Sequence, residues 1–451
     1  MPTSVSVIGL GKLGAPMVAA IAARGVLAIG VDSDAAKVEA IARGLPPVFE
    51  PRLAETLILA QGRLTATVSI EDAVRDSDVT FIVVATPADA DGAFSLRYVL
   101  PVCEAIGHAL ATKREYHLVT LTSTVMPGST AGKVREALEK TSHKRAGADF
   151  GLCYSPEFIA LGSVIRDFLN PDFLLVGESD ERAGEMLESL YQSVCENRPP
   201  VARMNLVNAE IAKLAVNTYV TTKISFANML ARLCEKVPGA SVDVVTGAIG
   251  LDSRIGGKYL KGAISYGGPC FPRDNVALIA LADRVGASSD LPRATHAFNR
   301  AQIQRLADMV QQHLSAGEAA GILGLTYKPN TDVTEEAAGL LLAQELAKRK
   351  VRTIAFDPEG HARASVTLGD KVHLAASAEE CIAHSGVVVL TTPWAEFLAI
   401  PCERWARNSS PRIVIDCWRA LKHLQAAKGI RYLGLGNGAT QEGSLAGGAA
   451  Q

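Results

Sequence analysis

The sequence lacks several features that would place it at once. None of its eight cysteines, at positions 103, 153, 195, 234, 270, 381, 402 and 417, forms a C-x-x-C pair. Such scatter argues against a zinc site and against a disulfide framework, so no metal is expected and a reducing cytoplasm is. No window approaches the roughly 18 uninterrupted apolar residues of a membrane span, so no membrane partner is expected. The opening "MPTSVSVIGLGKLG" has no charged segment leading into a long apolar run, and no signal peptide is expected there. Excess charge is missing too: 45 Lys and Arg stand against 47 Asp and Glu, for a formal net charge of -2. No basic field is left to hold nucleic acid, and no acidic tail is present.

What is there fits a globular chain with large cores. Of 451 residues, 48% are hydrophobic and 20% charged, enough length for several domains. Early on, short apolar runs alternate with helical stretches. "VSVIGL", "LAIGVD", "VTFIVVAT", "HLVTLTST" and "FLLVGE" read as buried parallel strands, with "APMVAAIAARG" and "RYVLPVCEAIGHAL" as helices between strands. This alternation implies a doubly wound α/β sheet. From Asn205 to Val237 there is neither Pro nor Gly, and apolar residues recur at helical spacing, which predicts one long helix. Strands return with "AAGILGL", "RTIAFDP", "GVVVLTT" and "RIVIDC", so a second α/β domain is expected. The fold class is therefore α/β: two Rossmann-like doubly wound domains joined by a central helical domain with one long helix. A small, polar tail from about Gly434 is expected to be disordered.

"VSVIGLGKLGAPM" is a strand, a Gly9-x-Gly11-x-x-Gly14 turn completed by Lys12 and Leu13, then a helix. Gly9 would make the tight turn, Gly11 would let a pyrophosphate approach the backbone, and Gly14 would let the helix pack on the strand. The helix N-terminus would then face the phosphates. Asp32 closes the next strand, 23 residues after Gly9, where a carboxylate would take the ribose hydroxyls and disfavour the extra phosphate of NADP. The expected cofactor is NAD. Thr86, Ser123 and Thr124 follow strands and could reach the nicotinamide end, although an ordinary Ser/Thr turn would look the same.

Two further stretches carry chemistry. Lys213 and Asn217 are four apart on the long helix and share a face; both could simply be solvated. Beside a redox domain and a reactive thiol they suit proton handling, since a desolvated lysine shifts its pKa readily and an amide can steady an oxyanion. The thiol is Cys270 in "SYGGPCFPRDN". A lone cysteine is usually inert packing, but this one sits among glycines, prolines and charges. Gly267 and Gly268 would let a substrate approach the backbone, Arg273 and Lys213 are candidate cations, and Asp274 could hold a lysine or a water. Alcohol oxidation alone needs no thiol. A thiol becomes useful when an aldehyde is oxidised further, through a thiohemiacetal and then a thioester that is hydrolysed to an acid.

The motifs "GLGKLG", "ATPADADG", "STVMPGST", "SPEF", "AEIAKLAVN", "KYLKG", "GGPCFPRD", "GLTYKPNTD" and "TTPWAEF", in this order over roughly residues 3 to 433, resemble the nucleotide-sugar 6-dehydrogenases, which include UDP-glucose and GDP-mannose dehydrogenases. The resemblance implies an NAD-binding domain over 1–202 and a central helical dimerisation domain over 203–316 that carries the catalytic Cys. It further implies a nucleotide-sugar-binding domain over 317–433, with 434–451 as the tail. By the same resemblance Cys270 is the nucleophile, and Lys213 and Asp274 position and deprotonate, the latter through a water. Asn217 holds the sugar and the oxyanion, Glu157 assists thioester hydrolysis, and Thr124 helps to place water. Asp32, Lys37, Thr86, Thr124 and Arg273 match cofactor contacts. Asn228, Tyr259, Lys261, Gly267 and Lys328 match positions around the nucleotide sugar. A homodimer through the long helix is implied as well.

The sequence departs from the family pattern at four places. Leu161 stands where many members have an acid, and Glu335 where relatives have an arginine that meets the cofactor. Lys12 replaces a common aromatic, and Pro269 a small residue beside the thiol. Glu335 should weaken NAD binding, with Lys12 partly compensating. The expected reaction is four-electron oxidation of a sugar C6 alcohol, with UDP-glucose first and GDP-mannose or a UDP-N-acetylhexosamine as alternatives. Two other classes remain open: a β-hydroxyacid dehydrogenase doing one two-electron oxidation, and a non-catalytic paralogue that holds NAD or a nucleotide sugar.

Overall fold

The structure, a computed structural model, describes residues 3–407 and 410–438. It divides into two compact units, residues 1–215 and 216–451. The first is built on eight strands: β1 (Ser4–Ile8), β2 (Leu27–Val31), β3 (Leu64–Thr67), β4 (Val79–Ile82), β5 (Leu118–Leu121), β6 (Gly151–Tyr154), β7 (Leu174–Glu178) and β8 (Val201–Asn205). They lie in the order β3-β2-β1-β4-β5-β6-β7-β8, whose first six positions are the doubly wound arrangement of dinucleotide-binding sheets. β4, β5 and β6 are buried at every residue, as strands covered by helices on both faces must be.

One expectation fails here. "FLLVGE" forms β7, but β7 runs antiparallel to β6, with Cys153 opposite Glu178 and Tyr154 opposite Gly177. The link between them carries only the six-residue helix Val164–Leu169. At about 1.5 Å per residue such a helix is too short to return the chain to the far end of the sheet, so the strand re-enters from the near end.

The second unit carries a six-stranded sheet: β9 (Ala320–Leu323), β10 (Thr353–Phe356), β11 (His373–Leu374), β12 (Val387–Leu390), β13 (Arg412–Asp416) and β14 (Ile430–Gly434). All are parallel, in the order β11-β10-β9-β12-β13-β14. The first sheet's opening is repeated here in detail. Gly9 has φ +105°, and a Cβ on Gly14 would lie 1.8 Å from the Gly9 carbonyl oxygen; Gly324 has φ +104°, and a Cβ on Gly339 would lie 1.9 Å from the Gly324 oxygen. Only glycine fits such an approach of helix to turn.

The long helix spans Leu206–Cys234, its first ten residues in the first unit and the rest in the second. Three more helices of the second unit, Val242–Ile249, Phe271–Val285 and Asp290–His313, precede its sheet. The tail expected from Gly434 is folded at its start. Gly434 ends β14, Val242 N–H donates to the Gly436 carbonyl at 2.9 Å, and Gly438 N–H to that of Ala240 at 2.9 Å. The remaining positions of that tail, 439–451, lie outside the described residues. Among the described residues, no helix is long and apolar enough to cross a membrane.

Candidate active site

In the first unit the glycine turn leaves room for a ligand. A Cβ on Gly9 would lie 2.3 Å from the Val83 carbonyl oxygen, and Gly14 is closed off by Gly9, but nothing lies within 4 Å of where a Cβ on Gly11 would be. The open side of the turn is therefore at Gly11, and Lys12 and Leu13 lead from it into the helix Gly14–Ala23. Asp32 stands beside this turn and accepts from Leu10 N–H at 2.7 Å, Asp34 N–H at 2.9 Å and Lys37 Nζ at 3.2 Å. Burial opposes its ionisation, but the donors of Asp34, Leu10 and Lys37 outweigh it and hold the carboxyl below its ordinary value. The corresponding Asp357 of the second sheet is wholly buried. Its two oxygens take the N–H groups of Leu325, Thr326, Glu359 and Gly360, the Thr326 hydroxyl and the Trp394 indole. Asp32, some 10% exposed, keeps a face for a ribose.

Thr86 Oγ1 donates to the Thr124 carbonyl at 2.7 Å, and Ser123 Oγ donates to that of Val84 at 2.6 Å. These bonds fasten the two post-strand loops to each other. A residue not singled out from the sequence anchors them further. Glu210, buried on the long helix, accepts from Gly128 N–H at 2.6 Å and Thr130 N–H at 2.8 Å, just beyond Thr124. Burial raises its pKa against those donors. An acid amid the apolar run three residues before Lys213 was the available signal.

Lys213 and Glu157 come together in this unit. Lys213 Nζ donates to the Glu157 backbone carbonyl at 2.6 Å and lies 4.5 Å over the Phe158 ring. The Glu157 carboxyl sits by Tyr191, whose hydroxyl is 3.0 Å from Ser155 Oγ. Burial pushes Glu157 up to about 7, against the opposing pull of Lys213 and Tyr191. A carboxyl poised there can carry a proton either way near neutral pH.

In the second unit, Cys270 is exposed and is the N-cap of the helix Phe271–Val285, with proline in its first turn. The other cysteines are buried or, at Cys402, half-buried. The positive end of a helix favours negative charge on a sulfur placed there. One turn on, Asp274 is buried; its Oδ2 accepts from Asn217 Nδ2 at 2.6 Å, and Arg273 Nη2 lies 3.5 Å from Oδ1. Phe271 is flanked edge-on by Tyr259 and Tyr266, with ring centroids at 6.0 and 6.4 Å.

The glycines before the thiol have a role that the sequence reading did not give them. A Cβ on Gly267 would lie 2.2 Å from the Glu336 carbonyl oxygen, and one on Gly268 would lie 2.8 Å from the Tyr327 ring. On that side the fold itself fills the space kept for a substrate. Gly268 N–H donates to the Glu335 carbonyl at 2.9 Å, so Glu335 meets the thiol loop through its backbone, while its side chain lies 3.9 Å from Arg363. Lys328 Nζ lies 5.9 Å over the same Tyr327 ring. Tyr259 and Lys261 line a cavity of about 370 Å³ with Asp243, Thr246 and Leu251. Asn228 is set apart from these: its amide is buried and bonded to the backbone of Ala263 and Ile264 rather than turned to a ligand.

A glycine turn open at Gly11 and a carboxylate with an exposed face at the next strand end define the first unit as a dinucleotide-binding domain. Sequence comparison assigns it. The descriptions of the UDP-glucose/GDP-mannose dehydrogenase family match residues 3–195 (NAD binding domain), 207–301 (central domain) and 321–423 (UDP binding domain). The chain belongs to this family. UDP-glucose 6-dehydrogenase AglM of Haloferax volcanii is 34% identical over 416 residues, covering 91% of this chain and 96% of the relative. GDP-mannose 6-dehydrogenase of Azotobacter vinelandii is 33% identical over 357 residues, 78% of this chain and 80% of its own. The solved structure of a UDP-glucose dehydrogenase from Pyrobaculum islandicum is 33% identical with a TM-score of 0.88, covering 97% of this chain and 98% of that one. The cofactor is NAD, and the residues at Gly11 and Asp32 fit it.

Proposed function

We propose that the chain oxidises the C6 alcohol of a nucleotide sugar to a carboxylate, with UDP-glucose as substrate and UDP-glucuronate as product. The observation that carries the reading is Cys270: an exposed thiol at a helix N-terminus, one turn from the Asn217–Asp274 pair. UDP-glucose is put first because AglM and the Pyrobaculum islandicum structure, each aligned over more than nine-tenths of this chain, are UDP-glucose dehydrogenases.

Bound NAD supplies the hydride acceptor at each of two steps. Gly9, Gly11, Lys12, Leu13 and Gly14 would hold its pyrophosphate, Asp32 and Lys37 its ribose, and Thr86, Ser123, Thr124 and Arg273 its far end. In the first step the alcohol proton passes through a water to Asp274, Lys213 positions the alcohol, and Asn217 steadies the oxygen. The Cys270 thiolate then adds to the aldehyde carbon, and loss of a second hydride from the thiohemiacetal leaves a thioester. Glu157, poised near neutrality, takes a proton from water placed by Thr124; hydroxide displaces the thiolate and the carboxylate leaves. Tyr259, Lys261 and Lys328 form the surroundings of the nucleotide sugar. The long helix exposes Tyr219, Phe226, Met229 and Leu233 along one side, which supports a homodimer through that helix.

The test is NADH counted per sugar with UDP-glucose, UDP-galactose, UDP-N-acetylglucosamine, UDP-N-acetylmannosamine and GDP-mannose, for wild type and Cys270→Ala. Two NADH from UDP-glucose, abolished by the substitution, is the expected result. One NADH insensitive to it would sink the thiol mechanism. Silence across the panel, with NAD still raising Tm, would favour the binding paralogue.

A further inference from the structure

The loop Gly262–Cys270 that delivers the thiol has no strand or helix of its own. Buried peptide groups must nonetheless be paired. Two side chains do this in the manner of a neighbouring strand. Asn228 of the long helix accepts from Ala263 N–H at 2.7 Å and donates to the Ile264 carbonyl at 2.8 Å. Asn299 of the helix Asp290–His313 accepts from Tyr266 N–H at 2.9 Å and donates to the Tyr266 carbonyl at 3.0 Å. The second pairing copies the two-bond exchange of an antiparallel ladder, with an amide side chain in place of a residue. Both asparagines are at least nine-tenths buried. Between them Ser265 points a buried hydroxyl that has no hydrogen-bond partner among the described residues.

We infer that Asn228 and Asn299 are positioning residues that stand in for a missing strand and set the Cys270 sulfur at the helix N-terminus. An amide donates to a carbonyl from one atom and accepts from an N–H on another; a carboxylate of the same shape keeps the acceptor and turns a negative oxygen on the carbonyl. The chain of placement runs from the two amides to Tyr266, whose ring abuts Phe271, and so to the residue beside the thiol. The inference deepens the proposed function and rests on Cys270 being its nucleophile.

The test is the rate at which iodoacetamide alkylates Cys270 in the full-length protein, followed by peptide mass spectrometry, with half-buried Cys402 as an internal reference. It needs no turnover, so it stands apart from the identity of the substrate. Asn228→Asp and Asn299→Asp should each slow Cys270 alkylation about fivefold or more, the size of one lost helix-end interaction. Cys402 should keep its rate, and Ser265→Ala should leave both thiols at wild-type rates. The inference is overturned if the Asp variants alkylate Cys270 at or above the wild-type rate, if both thiols shift together as in general loosening, or if Ser265→Ala slows Cys270 as much. If an Asp variant does not fold, Asn→Gln at the same position serves; it keeps the amide but displaces it by one methylene, and the same slowing of Cys270 alone is required.

Discussion

Asn217 Nδ2 donates to Asp274 Oδ2 at 2.6 Å, tying the long helix to the helix that begins at Cys270. The bond reaches a carboxylate that is 1% exposed, so its loss leaves an acceptor with little water to replace the amide. Asn217→Ala should cost about 1.5–3 kcal/mol of unfolding free energy, the range for a hydrogen bond to a charged group. Asn217→Asp should cost more, because it sets one carboxylate against another. Urea unfolding at pH 8 reads the order directly. A smaller loss for Asp than for Ala would mean that this pair does not hold the two helices.

Glu157 makes a prediction about pH. Its native pKa, near 7, lies above the ordinary 4.5 because it is buried. The native state therefore keeps a proton between those values that the unfolded chain releases. Stability from this group is greatest at low pH and falls as pH rises through the window, levelling above it. Glu157→Gln should gain on wild type from pH 5 to pH 8 and run parallel beyond. In the proposed reaction the deprotonated form is the base of the hydrolysis, so wild-type turnover should fall below about pH 7. The variant should lose that limb and accumulate the thioester. A wild-type profile flat from pH 5.5 to 8 would remove Glu157 from the hydrolytic step.

How much of this could be read from the sequence depended on range. Strand runs, the glycine turn and the long helix are local patterns, and the period of apolar residues carried them to within a few positions. The short β3 and β11 and the half-buried β8 and β14 have no such signature, and the expected tail takes in only Gly434, the last residue of β14. The orientation of β7 depended on the length of a helix rather than on the strand. Among the candidate residues, Cys270, Lys213, Asn217 and Asp274 announced themselves by unusual company. Glu210 and Asn299 did not, because their partners are backbone groups dozens of residues away. Gly267 and Gly268 were visible as glycines, but the Glu336 carbonyl and the Tyr327 ring that demand them are visible only in the fold.

The glycines of the first turn separate binding from folding. Gly11 has open space where a Cβ would go, so Gly11→Ala should leave Tm within a degree or two of wild type while obstructing the pyrophosphate. NAD affinity should fall about tenfold or more, a loss of at least ~1.4 kcal/mol. Gly14→Ala meets the Gly9 carbonyl and should destabilise by roughly 1–3 kcal/mol through overpacking. Calorimetric titration with NAD beside thermal unfolding distinguishes the two. Equal losses of stability would mean that the Gly11 side is not the ligand's.

The long helix predicts assembly. Tyr219, Phe226 and Leu233 recur every seven residues, with Met229 between, and all four are exposed in the single chain. A seven-residue apolar repeat is the seam of one helix against another. Burying side chains of this size is worth about 1.5–3 kcal/mol each, so Phe226→Glu combined with Leu233→Glu should raise a dimer dissociation constant at least about a hundredfold. Sedimentation velocity at micromolar concentration should show a dimer for wild type and a monomer for the double variant, with NAD still stabilising the monomer, since the Gly11 and Asp32 residues lie in the first unit and the two substitutions in the second. A wild-type protein that sediments as a monomer would leave the stripe without the partner assigned to it.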